Sequence, residues 1–92
     1  TAEQAVEWGF VNKLTEPGEA LAGALELAEK ITANGPLAVA ATKEIIVKSA
    51  EWSQAEMWEK QNAIMAPVFG SKDAIEGATA FAEKRAPNWT GS

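Results

Sequence analysis

The segment that most constrains the fold runs from Leu37 to Ala50, because apolar side chains cover most of its helical circumference. They are Leu37, Val39, Ala40, Ala41, Ile45, Ile46 and Val47. A helix that is apolar on most sides is usually buried on most sides. The chain has only 92 residues, and the core of so small a domain is marginal. We therefore expect this helix to need cover that the chain does not supply.

Signals for helix ends predict an all-α fold of four to five short helices. Thr1 and Gln4 have the spacing of a capping box, and Ser53 and Glu56 repeat it. Asn34-Gly35-Pro36 ends one helix and starts the next. The predicted helices are Thr1 to Gly9, Glu19 to Ala33, Leu37 to Ala50, Ser53 to Gly70, and Ser71 to about Lys84. Residues 10–14, FVNKL, alternate weakly and predict an extended connector or an edge strand.

Composition argues against several classes of partner and site. The formal net charge is −5, and the eight Lys and Arg residues are scattered, so nucleic acid and anionic membranes are poor partners. No apolar run approaches the roughly 20 residues of a membrane span. The chain has no cysteine and no histidine, which excludes Ser-His-Asp and Cys-His nucleophilic sites and His-ligated metal within it.

The 13 acidic residues give no sign of acid–base chemistry. Nearly all of them fall on polar helix faces, and three lie four residues before a lysine, which is typical of solvent-exposed pairs. These pairs are Glu26 and Lys30, Glu44 and Lys48, and Glu56 and Lys60. No glycine-rich phosphate loop occurs. The sequence therefore predicts no catalytic residue and no metal site.

Aromatic and glycine positions leave two interpretations open. Trp8, Trp52, Trp58 and Trp89 lie near predicted helix ends, where they either pack at junctions or mark an interface between subunits or lobes. A glycine inside a helix costs about 1 kcal/mol relative to alanine. Gly77 therefore predicts a close approach, and we expect another backbone to pack there.

Phe81, Lys84 and Arg85 form the last candidate site. Phe81 and Lys84 are three residues apart, so a continuous helix would place them on one face. In one interpretation Phe81 packs inward and the two cations complement the helix dipole. In the other, an aromatic platform beside an ammonium group suits a nucleotide-like ligand.

The run DAIEGATAFAEKRAPNWTG resembles the C-terminal motif of the enoyl-CoA hydratase (crotonase) family, EG-x-x-AF-x-EKR-x-P. The matching residues are Glu76, Gly77, Ala80, Phe81, Glu83, Lys84, Arg85 and Pro87. AEQAVEWGFVNKL is similar to the family's A-x-x-A-x-x-x-GLV helix, with Phe10 where leucine is usual. NGPLAVAATKEII also resembles a family helix, with Lys43 in its third turn. The resemblance spans essentially the entire chain.

This resemblance implies that residues 1–92 are the C-terminal helical oligomerisation and lid region of such an enzyme, taken from a longer protein. The family's β/α spiral carries the oxyanion hole and the acid–base glutamates, and we expect that lobe to be absent here. The implied partners are the missing N-terminal lobe, further copies in a trimer or dimer of trimers, and acyl-CoA. Phe81 and Lys84 are expected to approach the CoA portion bound by a neighbouring subunit, whereas Arg85 lacks that support.

The expected function is therefore that of an enoyl-CoA hydratase of fatty-acid β-oxidation, in which this region is inactive alone. Acyl-CoA is then the substrate, no cofactor is expected, and the expected location is the cytoplasm. Two alternatives remain open. The reaction is that of an isomerase or hydrolase of the same family, or the chain is an autonomous helical interaction module.

Overall fold

The computed structural model describes all 92 residues and contains five α-helices and no β-strand. The helices are α1 (Ala2–Glu7), α2 (Ala20–Thr32), α3 (Pro36–Ser49), α4 (Gln54–Phe69) and α5 (Lys72–Glu83). The chain divides into two compact units, residues 1–33 and residues 34–92. None of the helices has the length and apolar character needed to span a membrane. The all-α prediction is confirmed.

Side chains close the starts of three helices as the sequence predicts. The Thr1 hydroxyl accepts a hydrogen bond from the Gln4 N–H at 3.2 Å, and the Gln4 side chain accepts one from the Thr1 ammonium at 2.7 Å. The Glu56 carboxylate reaches back to the Ser53 N–H at 3.1 Å. Ser71 accepts from the Ala74 N–H at 3.0 Å. These contacts satisfy amide groups that the first helical turn leaves without an intrahelical partner.

The edge strand suggested for residues 10–14 is absent, and the alternative of a connector is correct. Gly9 has a φ of +72°, a left-handed conformation that glycine adopts at little cost. The reversal directs the N–H groups of Phe10 and Val11 back to the Ala5 carbonyl oxygen, at 2.8 and 3.2 Å. Those amides therefore close the end of α1 and are not available for a strand ladder.

In the first unit, the connector contacts α2. Lys13 donates a hydrogen bond to the Glu26 carboxylate, which Lys30 approaches at 3.8 Å from the following turn. These two cations lower the pKa of Glu26, Lys13 having the larger effect. The Thr15 methyl group lies against Gly23, where a Cβ would approach it to 2.6 Å. Glycine at this position therefore lets the connector lie close to the helix.

The second unit buries very little apolar surface. α3 packs against α4, and α4 packs against α5, but the only fully buried apolar residues are Ala41 and Ala80. Ile46 and Val47 on α3 are 67% and 65% exposed. The chain therefore covers α3 only in part, and the remaining exposed apolar surface agrees with the prediction that this helix needs further cover.

The C-terminal tail folds back over α5 and places Trp89 against two glycines. A Cβ at Gly77 would lie 3.1 Å from the indole, and one at Gly35 would lie 3.5 Å from it. The close approach predicted at Gly77 is present, but the expectation of a second backbone is wrong, because an indole ring of the same chain fills the space. Trp89 is therefore a junction residue, whereas Trp8 and Trp58 are 74% and 67% exposed.

We expect Gly77→Val to displace Trp89, because the rigid ring leaves no room for a β-branched side chain. Overpacking of this kind typically costs about 1–3 kcal/mol, which lowers Tm by several degrees in a chain of this size. Thermal unfolding followed by tryptophan fluorescence measures the loss. Ala82→Val introduces the same β-branched side chain at an exposed position of α5 and serves as the control. Equal effects of the two substitutions would contradict the steric role of Gly77.

Candidate functional site

The end of α5 is a Schellman motif in which lysine takes the place of glycine. The Arg85 N–H donates to the Ala80 carbonyl oxygen at 3.0 Å, and the Lys84 N–H donates to the Phe81 carbonyl oxygen at 3.2 Å. Lys84 has a φ of 54° and a ψ of 40°, and no other non-glycine residue has a positive φ. Glycine usually occupies this position, and the left-handed conformation costs other residues about 1–2 kcal/mol. The lysine is therefore held there against its own preference.

The structure places both predicted ligand-contacting residues on the surface at this helix end. Phe81 lies in the last turn of α5 and is 88% exposed, so the interpretation in which it packs inward is wrong for this chain. Lys84 is exposed, and its ammonium forms no ion pair. α5 ends at Glu83. Because Lys84 is outside the helix, helical spacing does not fix its orientation relative to Phe81.

The Arg85 guanidinium contacts carboxylates of its own chain. Nη1 and Nη2 donate to the two oxygens of Glu76 at 2.6 and 3.0 Å, and Nε donates to Glu83 at 2.6 Å. The interpretation in which Arg85 only complements the helix dipole is incomplete. The Arg85 guanidinium and the Asn88 N–H, which donates at 2.7 Å, lower the pKa of Glu76 to about 2. Sequence spacing gives no signal for this pair, because only the reversal at Lys84 brings Arg85 back to Glu76.

Asp73, one turn before Glu76, holds the end of the tail. It is 4% exposed and accepts hydrogen bonds from the Thr90 N–H at 2.8 Å, the Thr90 hydroxyl at 3.0 Å and the Gly91 N–H at 2.9 Å. Its own N–H donates to the Ser92 carbonyl oxygen at 2.9 Å. The Thr90 N–H is the largest cause of a lowered pKa at Asp73, which burial opposes. Asp73 is therefore an exception to the prediction that nearly all acidic residues lie on polar, solvated helix faces.

An apolar groove of about 310 Å³ lies in the second unit between the start of α3, the end of α4 and the middle of α5. Its principal lining residues are Leu37, Met65, Val68, Phe69, Ala74 and Trp89. The polar residues at its edge, Ser71 and Asp73, already form hydrogen bonds within the chain. No group of three or more His, Cys, Asp or Glu side chains is placed to hold a metal ion. The groove is suited to an apolar surface, and it presents no paired acid and base.

We expect the tail contacts to weaken in acid, because Asp73 and Glu76 bind the tail as carboxylates. Since their pKa values are lowered on folding, their stabilisation is fully present above the carboxyl pKa of the unfolded chain. It is lost as pH falls from about 5 towards 2. Urea unfolding at several pH values measures the slope, which should be shallower in Asp73→Asn and Glu76→Gln. Glu59→Gln removes a carboxylate outside the tail contacts and should keep the original slope; a matching reduction there would contradict the assignment.

Comparison with known proteins gives a consistent family. The family model described as enoyl-CoA hydratase/isomerase matches residues 1–92. An enoyl-CoA hydratase of Mycobacterium tuberculosis is 46% identical over 97% of the chain, which corresponds to 34% of that protein. A carnitinyl-CoA dehydratase of Salmonella arizonae is 43% identical over 99% of the chain and 36% of that protein.

Solved structures show the same arrangement of helices. A probable enoyl-CoA hydratase/isomerase of Mycobacterium abscessus superposes with a TM-score of 0.96 at 62% identity, over the whole chain and 36% of that structure. An enoyl-CoA hydratase of Mycobacterium tuberculosis gives 0.95 at 62% identity, over 99% of the chain and 36% of that structure. The chain spans about a third of the length of these relatives. It belongs to the enoyl-CoA hydratase/isomerase family, as its C-terminal motif predicts.

Proposed function

We propose that residues 1–92 are the C-terminal helical lobe of an acyl-CoA-processing enzyme, most simply an enoyl-CoA hydratase. In this proposal the lobe supplies oligomer contacts and part of the CoA contact, and a separate N-terminal lobe performs the chemistry. The exposed apolar surface of the chain is the observation that carries the proposal. The acyl-CoA is the substrate, no cofactor takes part, and the enzyme acts in the cytoplasm.

The exposed surface has the composition of an interface core. Trp58, Phe69 and Ile75 are 67%, 74% and 68% exposed, and the apolar groove opens beside Phe69. Monomeric proteins rarely expose large contiguous apolar patches, and obligate interfaces resemble a domain core cut in half. A catalytic lobe and neighbouring copies, in a trimer or dimer of trimers, would provide the cover that the chain lacks.

The end of α5 supports a contact with the CoA portion of a substrate bound mainly by a neighbouring subunit. An exposed aromatic ring can stack on a base, and an unpaired ammonium can approach a phosphate group. Phe81 and Lys84 provide these two groups. Arg85 is bound to Glu76 and Glu83, so we assign it no contact with the ligand.

The names of the relatives support a reaction that moves water. They include an enoyl-CoA hydratase and a carnitinyl-CoA dehydratase, and hydration and dehydration are the two directions of one type of step. We propose hydration of a 2-enoyl-CoA in fatty-acid β-oxidation. An isomerase or hydrolase reaction is the alternative within the family, because the deciding residues would lie in the catalytic lobe.

An autonomous helical interaction module is the alternative of a different class. The coding sequence upstream of Thr1 distinguishes the two. A further 150 residues or so of strand-rich sequence would support the enzyme, since the catalytic lobe needs about that length. A start codon directly before Thr1 would support the module.

We expect the purified 92-residue chain to hydrate no short enoyl-CoA, because our proposal places the oxyanion hole and the acid–base residues in the separate N-terminal lobe. Loss of the enoyl-thioester absorbance follows the reaction, with a full-length family hydratase as the positive control. Turnover by the purified chain would contradict the proposed division of labour.

We also expect the isolated chain to self-associate or to exchange its amide protons rapidly, because its apolar surface lacks cover. Sedimentation and amide exchange measure the two properties. Ile46→Glu should shift the distribution towards monomer by charging the exposed face of α3, whereas Lys43→Glu, on the same helix, should not. A rigid, slowly exchanging monomer would contradict the expectation.

A further inference from the structure

Lys84 is the only non-glycine residue of the protein with a positive φ, a backbone conformation that is unfavourable for lysine. The other three residues with positive φ are Gly9, Gly18 and Gly91. A glycine at position 84 would close the Schellman motif without strain. A strained residue persists only where its surroundings over-determine its conformation, so the contacts that hold Lys84 require an explanation.

The strongest contacts around Lys84 are made by the next residue along the chain. The Arg85 fork binds both oxygens of Glu76, at 2.6 and 3.0 Å, and a bidentate pair of this kind fixes orientation as well as distance. The same Glu76 carboxylate accepts the Asn88 N–H at 2.7 Å. One carboxylate of α5 therefore fixes the chain at two points beyond Lys84, and this restrains the backbone of Lys84 itself.

These contacts also leave Lys84 without an acidic partner. Glu76 and Glu83 are the acidic side chains that pair at this helix end, and Arg85 binds both. The Lys84 ammonium remains exposed and outside any ion pair. Phe81, three residues earlier, is 88% exposed. The helix end thus combines a free cation with an uncovered ring.

We propose that Glu76 and Arg85 are positioning residues that hold Lys84 in the left-handed conformation and keep its ammonium unpaired for a phosphate group of the ligand. This inference rests on the proposed CoA contact for the identity of the ligand. In this proposal Arg85 binds carboxylates of its own chain and does not contact the ligand. Glu76 affects ligand binding indirectly, through the conformation of Lys84. Neither residue touches the ligand.

The first part of the proposal, that Glu76 and Arg85 hold Lys84 in the left-handed conformation, is tested without ligand by NMR of the 92-residue chain. A positive φ gives a strong intraresidue nuclear Overhauser effect between the Lys84 amide and α protons. We expect Glu76→Gln and Arg85→Lys to weaken this signal, since each removes the bidentate pair. Glu83→Gln changes the charge equally but leaves the fork on Glu76, and it should keep the signal. An undiminished signal in Glu76→Gln would overturn the positioning role.

If Lys84 is strained, its replacement by glycine should increase stability and decrease ligand binding. Lys84→Gly should raise Tm by about 5 °C, because the strain is of the order of the left-handed penalty. The same substitution should weaken ligand binding, because it removes the ammonium group while Phe81 remains. A lower Tm in Lys84→Gly would overturn the inference that Lys84 is held against its preference.

The proposed effect on binding is tested in the full-length protein that contains this lobe, with adenosine 3′,5′-bisphosphate as the probe, titrated to millimolar concentration and followed by equilibrium dialysis. Glu76→Gln should weaken binding about fivefold in the otherwise unchanged protein, the size of an ordinary coupling between neighbouring groups. It should have no further effect in a Lys84→Met background. A purely structural role would give the same loss in both backgrounds, and that result would overturn the inference while leaving the CoA contact intact.

The same titration distinguishes an error in the proposed function from an error in the positioning role. If the full-length protein binds no bisphosphate at millimolar concentration, the proposed CoA contact and the proposed effect of Glu76 on binding are both wrong. If binding occurs and is insensitive to Lys84→Met, the contact lies elsewhere and Lys84 has no role in it.

Discussion

Two carboxylates on successive turns of α5 hold the C-terminal tail, and the second unit depends on these contacts. Asp73 binds Thr90 and Gly91, and Glu76 binds Arg85 and Asn88. Trp89 lies between these two attachment points along the chain, so the contacts press its indole against Gly77 and Gly35. The buried apolar residues of this unit are two alanines. Hydrogen bonds to charged groups therefore hold the tail in a position that a larger apolar core would otherwise stabilise.

The sequence was sufficient for the helices because their end signals are local. The Thr1–Gln4 capping box and the Ser71 cap act within four residues, and the structure contains both. The apolar circumference of residues 37–50 was equally informative, since it predicted a helix that this chain covers only in part. The prediction of an edge strand at residues 10–14 was wrong because Gly9 reverses the chain. The weak alternation of apolar residues does not indicate that reversal.

The candidate site was only partly predictable. The family motif led to Phe81 and Lys84, and the structure shows both to be exposed. The pairing of Arg85 with Glu76 spans nine residues, and that of Asp73 with Thr90 spans 17. Neither separation is a helical period, so both contacts depend on the chain reversal at Lys84. Because a left-handed conformation is predicted at glycine and not at lysine, the sequence does not indicate this reversal. Gly77 carried a real signal, but sequence alone did not reveal that its neighbour was an indole ring.

The short sequence span of the tail contacts has a consequence for folding order. They join residues separated by 9 to 18 positions, so closing the loops between them carries a small entropic cost compared with contacts between distant parts of a chain. Contacts of this kind form early and do not wait for long-range pairing. The geometry at the end of α5 therefore depends on contacts between residues that are near one another in this chain.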